Sequence, residues 1–261
     1  MSIVRLDQFD YPFCVAGEKD IGRLRENNQD EVIVCPQIGF FAVTDGMGGL
    51  SDGAAASAFV EKAMSELMKI SAQEFSEHQD VERAAAMFQQ TVQMMSDHLY
   101  TSGNTDQNYS YGATFTGVWL LGNKAVFVNL GDSRGYLLPR YRKQIEQVTM
   151  DQNLAGILVQ QGEITREEAR THPASSRLTA FVGMKPPAEP EVFSVEVHPG
   201  DRILLCSDGL YGLVEEPDMV RILRSSRSSR VVCERLIAKS NDNGGEDNIS
   251  AVCIKITKKE L

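Results

Sequence analysis

Residues 113–132 read ATFTGVWLL, GNK, AVFVNL, GD, and this stretch decides the fold. Two apolar runs, 113–121 and 125–130, are rich in β-branched and aromatic side chains. The turn between them, marked by Gly122-Asn123, is too short for a crossover, so the pair predicts an antiparallel hairpin. Residues 135–138 and 144–148 continue the series of closely spaced strands. Working outward, 11–16, 31–35 and 39–44 are extended runs upstream, and 202–206 and 249–256 are strands downstream. Two helical patterns, 51–70 and 80–99, rich in Ala, Met, Glu and Gln, separate the first strands from the hairpin. Two further helices, 215–223 and 230–240, fall between the last two strands. This order predicts α+β layers, not an alternating parallel sheet. Residues 151–190 mix two short helical stretches with Pro173, Pro186, Pro187 and Pro190. They read as an irregular excursion rather than core.

The 261 residues suit one large domain, with 42% hydrophobic and 24% charged residues placing the chain among ordinary globular proteins. Asp and Glu outnumber Lys and Arg by 36 to 26, giving a net charge of −10, so a nucleic-acid or anionic-membrane partner is disfavoured. Cys14, Cys35, Cys206, Cys233 and Cys253 form no C-x-x-C pair, and four of them lie in or beside strand-like runs. They are expected to be reduced, buried thiols. With no apolar leader and no run of membrane-spanning length, the expected location is cytoplasmic.

The chemistry lies in a repeated arrangement of strand followed by aspartate. Phe40-Phe-Ala-Val-Thr44 runs into Asp45-Gly46, Ile203-Leu-Leu-Cys-Ser207 into Asp208-Gly209, and Val126-Phe-Val-Asn-Leu-Gly131 into Asp132-Ser133. Asp247 precedes the last strand and Asp30 precedes 31–35. One Asp-Gly is simply a turn dipeptide. Together, antiparallel strands can bring these carboxylates to one sheet edge, where their mutual repulsion calls for compensating charge. Hard divalent cations with oxygen ligands supply it.

Arg25-Glu-Asn-Asn-Gln-Asp30, Asp45-Gly-Met-Gly-Gly49, Gly112-Ala-Thr114, Gly131-Asp-Ser-Arg134, Cys206-Ser-Asp-Gly209 and Gly244-Gly-Glu-Asp-Asn248 appear in that order. The series resembles the protein phosphatase 2C (metal-dependent PPM) family of bacterial type, across about 14–257. The resemblance implies a phosphoserine/phosphothreonine phosphatase in one domain over 1–261. It also implies an α-β-β-α sandwich of two antiparallel sheets flanked by pairs of antiparallel helices. In the same way, Asp45 would bridge two Mn2+ or Mg2+ ions, with the Gly46 carbonyl completing one and Asp208 and Asp247 holding the other. Asp132 would help to hold a weaker third ion with Asp208, Asp30 would act through water, and Arg25 would bind phosphate. Residues 151–190 would be the family's variable flap, where Arg166, Arg170, His172 or Arg177 could dock a phosphoprotein. A cognate serine/threonine kinase is an implied partner, and a monomer is the default.

Two positions depart from the animal pattern. Met47 stands where many animal members carry a histidine proposed to protonate the leaving oxygen, and a thioether cannot donate a proton. Gln29 stands where glutamate is common, and an amide is a poorer cation ligand. His78, His98, His172 and His198 show no ligand spacing, and Met64, Met68, Met87, Met94 and Met95 read as core of the helical pair. A dinucleotide site at 46–51 fails because Ser51 replaces the third glycine and a second helix follows the first. An EF-hand at 241–248 lacks its first aspartate. The remaining alternative is a catalytically silent phosphoprotein-binding module of the same fold.

Overall fold

The computed structural model describes residues 3–48, 52–78, 80–103 and 111–258, side chains at 76–78 and 102–103 excepted. In chain order β1 (Val4–Leu6), β2 (Phe9–Asp20), β3 (Asp30–Cys35) and β4 (Phe40–Gly48) lead into α1 (Asp52–His78) and α2 (Val81–Gly103). Then come β5 (Tyr111–Ala113), β6 (Phe115–Leu121), β7 (Lys124–Leu130), β8 (Arg134–Leu138) and β9 (Glu146–Gln147). The excursion contributes α3 (Leu154–Gln160) and α4 (Arg166–Arg170). The chain continues through β10 (Glu191–Glu196), β11 (Arg202–Cys206), α5 (Asp208–Tyr211), α6 (Glu216–Arg224), α7 (Ser229–Asp242) and β12 (Ile249–Ile256).

Two antiparallel sheets result, one ordered β1-β2-β12-β11-β8-β9 and the other β10-β7-β6-β4-β3, with β5 joined to β4. The hairpin forms as expected, Phe115 opposite Leu130 and Leu121 opposite Lys124. Side chains alternate across each strand. On β4, Phe41 and Val43 enter the core between the sheets with Phe13, Val118, Phe127, Leu205 and Val252. Phe40 and Ala42 face the opposite way, joining Met64, Met68, Phe88 and Trp119 beneath α1 and α2. A third core joins Leu204, Cys206 and Cys253 to Met219, Val232 and Leu236 of α6 and α7. Each large side chain so buried contributes about 1.5–3 kcal/mol.

Both helix pairs are antiparallel. Phe59 stacks on His98, Ser71 meets Thr91 and Glu74 pairs with Arg83. Likewise Asp218 pairs with Lys239 and Ser225 bonds Arg235. The expected α-β-β-α sandwich is therefore the observed one. Trp119 is fully buried, edge-on to Phe75 and Phe88, and donates its indole N–H to the Ile38 carbonyl at 2.9 Å.

Several boundaries differ from the sequence reading. The 113–121 run breaks at Thr114 into β5 and β6, because that backbone turns to meet Asp45. Residues 144–148 shrink to the two-residue β9, and β10, unforeseen, pairs with β7 over its whole length. The excursion is not wholly outside the core, since Ala180 and Val182 pack into the helix-side core. Met64, Met68 and Met95 are buried, but Met94 is 63% exposed on the outer face of α2. Among the described residues all five cysteines are free and buried, and no helix is long and apolar enough to cross a membrane.

Candidate active site

Alternation also builds the site. Asp45 follows Phe41 and Val43 on the face of β4 that looks toward the other sheet. Asp30 sits directly opposite it in the β3–β4 ladder. From the facing sheet, Ser207 follows β11, Asp208 opens α5, and Asp247 stands just before β12. Five aspartates, Asp30, Asp45, Asp132, Asp208 and Asp247, thus share one end of the sandwich. The Asp45-Gly46 pair is not a turn, as a lone Asp-Gly suggests; β4 runs through it to Gly48, with Gly46 opposite Ala113 and Met47 opposite Gly112. Gly46 is required there, because a Cβ would come within 1.9 Å of the Gly53 carbonyl oxygen at the start of α1. Gly49 and Ser51 lie outside the described residues.

Neutral residues hold the acids in place. The Asp45 N–H donates to the Thr114 hydroxyl at 3.0 Å, and the Thr114 N–H donates back to the Asp45 carbonyl at 2.8 Å. Ser207 donates to Asp30 Oδ2 at 2.6 Å across the sheets. Asn153 donates to Asp132 Oδ2 at 3.1 Å. Asp132 follows Gly131, whose φ of +121° and closeness to Thr114 suit glycine. Asn248 accepts from the Gln29 N–H and donates to the carbonyls of Ile21 and Asn27, tying the loop that carries Arg25 to the Asp247 backbone. Arg25, half exposed, pairs with Asp247 Oδ2 at 2.7 Å.

Burial first, and then mutual repulsion, pushes the carboxyls upward. Asp30 reaches about 7, raised further by Asp208 and Asp247 and opposed by the Ser207 hydrogen bond. Asp132 reaches about 8, chiefly by burial and then the Asp208 charge. Asp208 rises to about 6 through burial and Asp247. Asp45 is held well above the carboxylate range by burial, with the other four acids adding to the rise.

The acids share a field without closing on a point: among the described residues, no three His, Cys, Asp or Glu side chains form a finished metal cluster. The donor set nevertheless fits hard cations. Asp30 Oδ1 and Asp208 Oδ1 are buried carboxylate oxygens without a hydrogen-bond partner. Such atoms are costly unless a positive charge satisfies them.

The flap candidates divide. Arg166 and Arg177 are exposed. Arg170 is engaged within the fold, donating to the Gly212 carbonyl at 2.6 Å and lying 3.7 Å from Glu215. His172 accepts from the Ala174 N–H through Nδ1. Arg166 and Arg170 border a cleft of about 480 Å³ between α4 and α6. The other histidines stay apart from the acids: His98 stacks on Phe59, His198 lies beside Asp201, and the His78 side chain is outside the described residues.

The two-sheet sandwich flanked by helix pairs is the fold of the solved PPM phosphatases that this chain resembles. The chain belongs to the protein phosphatase 2C family, whose sequence profile matches residues 23–241. Within that family it is a serine/threonine phosphatase of bacterial type. It is 33% identical over 241 residues to the serine/threonine phosphatase stp of Listeria monocytogenes serotype 4b, covering 90% of this chain and 93% of that one. Its structure resembles that of the PPM phosphatase MsPP from Mycobacterium smegmatis in complex with cacodylate, with a TM-score of 0.78, 34% identity and coverage of 92% and 97%. It also resembles the catalytic domain of the phosphatase PstP in complex with two manganese ions, with a TM-score of 0.79, 28% identity and coverage of 94% and 99%.

Proposed function

We propose that this phosphatase is metal-dependent, acts on phosphoserine and phosphothreonine in proteins, and forms no covalent phosphoenzyme. Asp45, the Gly46 carbonyl, Asp208 and Asp247 would hold two Mn2+ or Mg2+ ions, Asp30 would act through water, and Asp132 with Asp208 would take a weaker third. The observation that carries this is the buried set of mutually repelling aspartates with orphaned oxygens on Asp30 and Asp208. The two manganese ions of the PstP structure agree with it. Bound there, a cation pair would lower the pKa of a shared water and offset charge on the phosphoryl oxygens.

The chain's own groups supply the rest. The planar fork of Arg25, at the exposed edge of the cluster, suits bidentate contact with phosphate oxygens. Cacodylate in MsPP is an oxyanion of comparable shape. Asp30, anchored by Ser207, keeps Oδ1 free to accept a hydrogen bond from water. Met47 cannot protonate the leaving oxygen, so that proton comes from water or from another group. A cysteine nucleophile is disfavoured, because all five thiols are buried and burial raises the Cys206 thiol strongly. The flap, 151–190, would select phosphoproteins through Arg166 and Arg177, both exposed, more than through Arg170 or His172. One domain over 1–261, a monomer, a cytoplasmic setting and a cognate serine/threonine kinase complete the reading; the buried free thiols support the compartment.

The test is hydrolysis of para-nitrophenyl phosphate with and without manganese, beside Asp208→Ala. Manganese-dependent turnover that EDTA abolishes and the variant lacks is expected. No turnover with any divalent metal, in folded protein, would point to the silent binding module instead.

A further inference from the structure

Asn153 lies at the root of the flap, 1% exposed, in an Asp151-Gln-Asn153 sequence that no motif singles out. Its backbone is extended, and its side-chain Oδ1 accepts from the Gly156 N–H at 2.8 Å, capping α3. That bond fixes the amide's orientation, because only an oxygen can accept there. The amide nitrogen must then point the other way, and it meets Asp132 Oδ2 at 3.1 Å. One buried amide therefore holds a flap helix with its oxygen and a carboxylate of the acid cluster with its nitrogen.

The surroundings make this junction rigid. Gln152 clasps Gly131 from both sides, its N–H donating to the Gly131 carbonyl at 3.0 Å and its side-chain oxygen accepting from the Gly131 N–H at 2.7 Å. The Gln152 carbonyl accepts from the Thr179 N–H, and the Leu154 N–H donates to the Arg177 carbonyl, so residues 177–179 of the flap close onto the same stretch. Asp151 is held bidentately by Arg134, at 2.8 and 2.6 Å, with both side chains almost wholly buried. Within this knot, Asn153 carries the side-chain hydrogen bond to an acid of the cluster.

We infer that Asn153 is a positioning residue that fixes the Asp132 carboxylate for cation binding and couples that carboxylate to flap helix α3. The inference rests on the reading of Asp132 as ligand to the weaker third ion. Holding one oxygen restrains rotation of the carboxylate and leaves the second oxygen to another partner. Such outer partners commonly change metal affinity by about 10–100-fold when removed.

Calorimetric titration with Mn2+ tests it on the full chain, in wild type, Asn153→Asp and Asn153→Ala, alongside hydrogen exchange of the α3 amides. An ionised aspartate keeps the cap but cannot donate to Asp132, so the titration is run at a pH of about 8.5. Asn153→Asp is expected to retain α3 protection and to weaken the weakest Mn2+ step by about tenfold or more, leaving the tight steps unchanged. Asn153→Ala is expected to weaken the same step and to lose α3 protection as well. A third step in Asn153→Asp that is unchanged or tightened overturns the inference alone. So does loss of α3 protection in that variant, since the weakening would then be a general structural effect. A wild type that binds only two ions overturns the third-ion reading of Asp132, and the inference with it.

Discussion

Asp208 Oδ1 is buried and has no hydrogen-bond partner, a condition that favours a bound cation and penalises the bare protein. Asp208→Asn should therefore do two opposite things. In EDTA at about pH 8 the variant should melt higher than wild type, because one repelling charge has gone. With manganese it should gain less in melting temperature, and its turnover should fall by about a hundredfold or more, the worth of several kcal/mol at the transition state. A variant that melts lower in EDTA would show that Asp208 supports the bare fold. Arg25→Lys keeps the charge and loses the fork, so kcat/KM should fall by about tenfold with the melting temperature unchanged. An unchanged kcat/KM would remove Arg25 from phosphate binding. The aspartates were legible in the sequence because each stands at the end of an apolar strand. Their holders were legible only in part: Thr114 and Ser207 stand inside quoted motifs without an assigned role, and Asn153 stands in none. All three are neutral residues whose partners lie 69, 177 and 21 positions away, which no local pattern reveals.

Among the elements, β8 and the flap are joined by the buried Arg134–Asp151 pair, with Arg134 also stacked 3.6 Å over Tyr211 and bonded to the Tyr136 hydroxyl. Removing one partner leaves a buried charge, so Arg134→Met should cost about 3–5 kcal/mol, read from the denaturation midpoint. A loss under about 1 kcal/mol would mean that water reaches Asp151 and replaces the arginine. Most strands and helices could be read from their periodicity, because apolar alternation matches the layers that bury them. The misses have physical causes. Residues in β10 are only half buried at a sheet edge, so their alternation is diluted by Glu191, Ser194 and Glu196. The extension of β4 through Asp45-Gly46 is set by pairing with β5, a contact that local turn propensity cannot anticipate.

For the molecule as a whole, the raised carboxyls fix how stability follows pH. Asp208, Asp30 and Asp132 titrate near 6, 7 and 8 in the fold, against about 3.9 in an unfolded chain. The folded state thus binds more protons, and their contribution is fully present below the unfolded value and lost as pH rises through 6 to 8. EDTA-treated protein should melt several degrees higher at about pH 5.5 than at about pH 8.5. Added manganese should stabilise most at the alkaline end and release protons on binding, visible as a buffer-dependent heat. The reverse trend would mean that the acids are ionised without help. The chain's one tryptophan lies elsewhere, fully buried on the helix-covered side of its sheet, while the acids face the gap between sheets. Its emission is therefore a native optical label for the α1–α2 layer. It should shift when that layer opens and stay constant while ions are titrated in, so that unfolding and cation loading can be followed in one cuvette as separate signals.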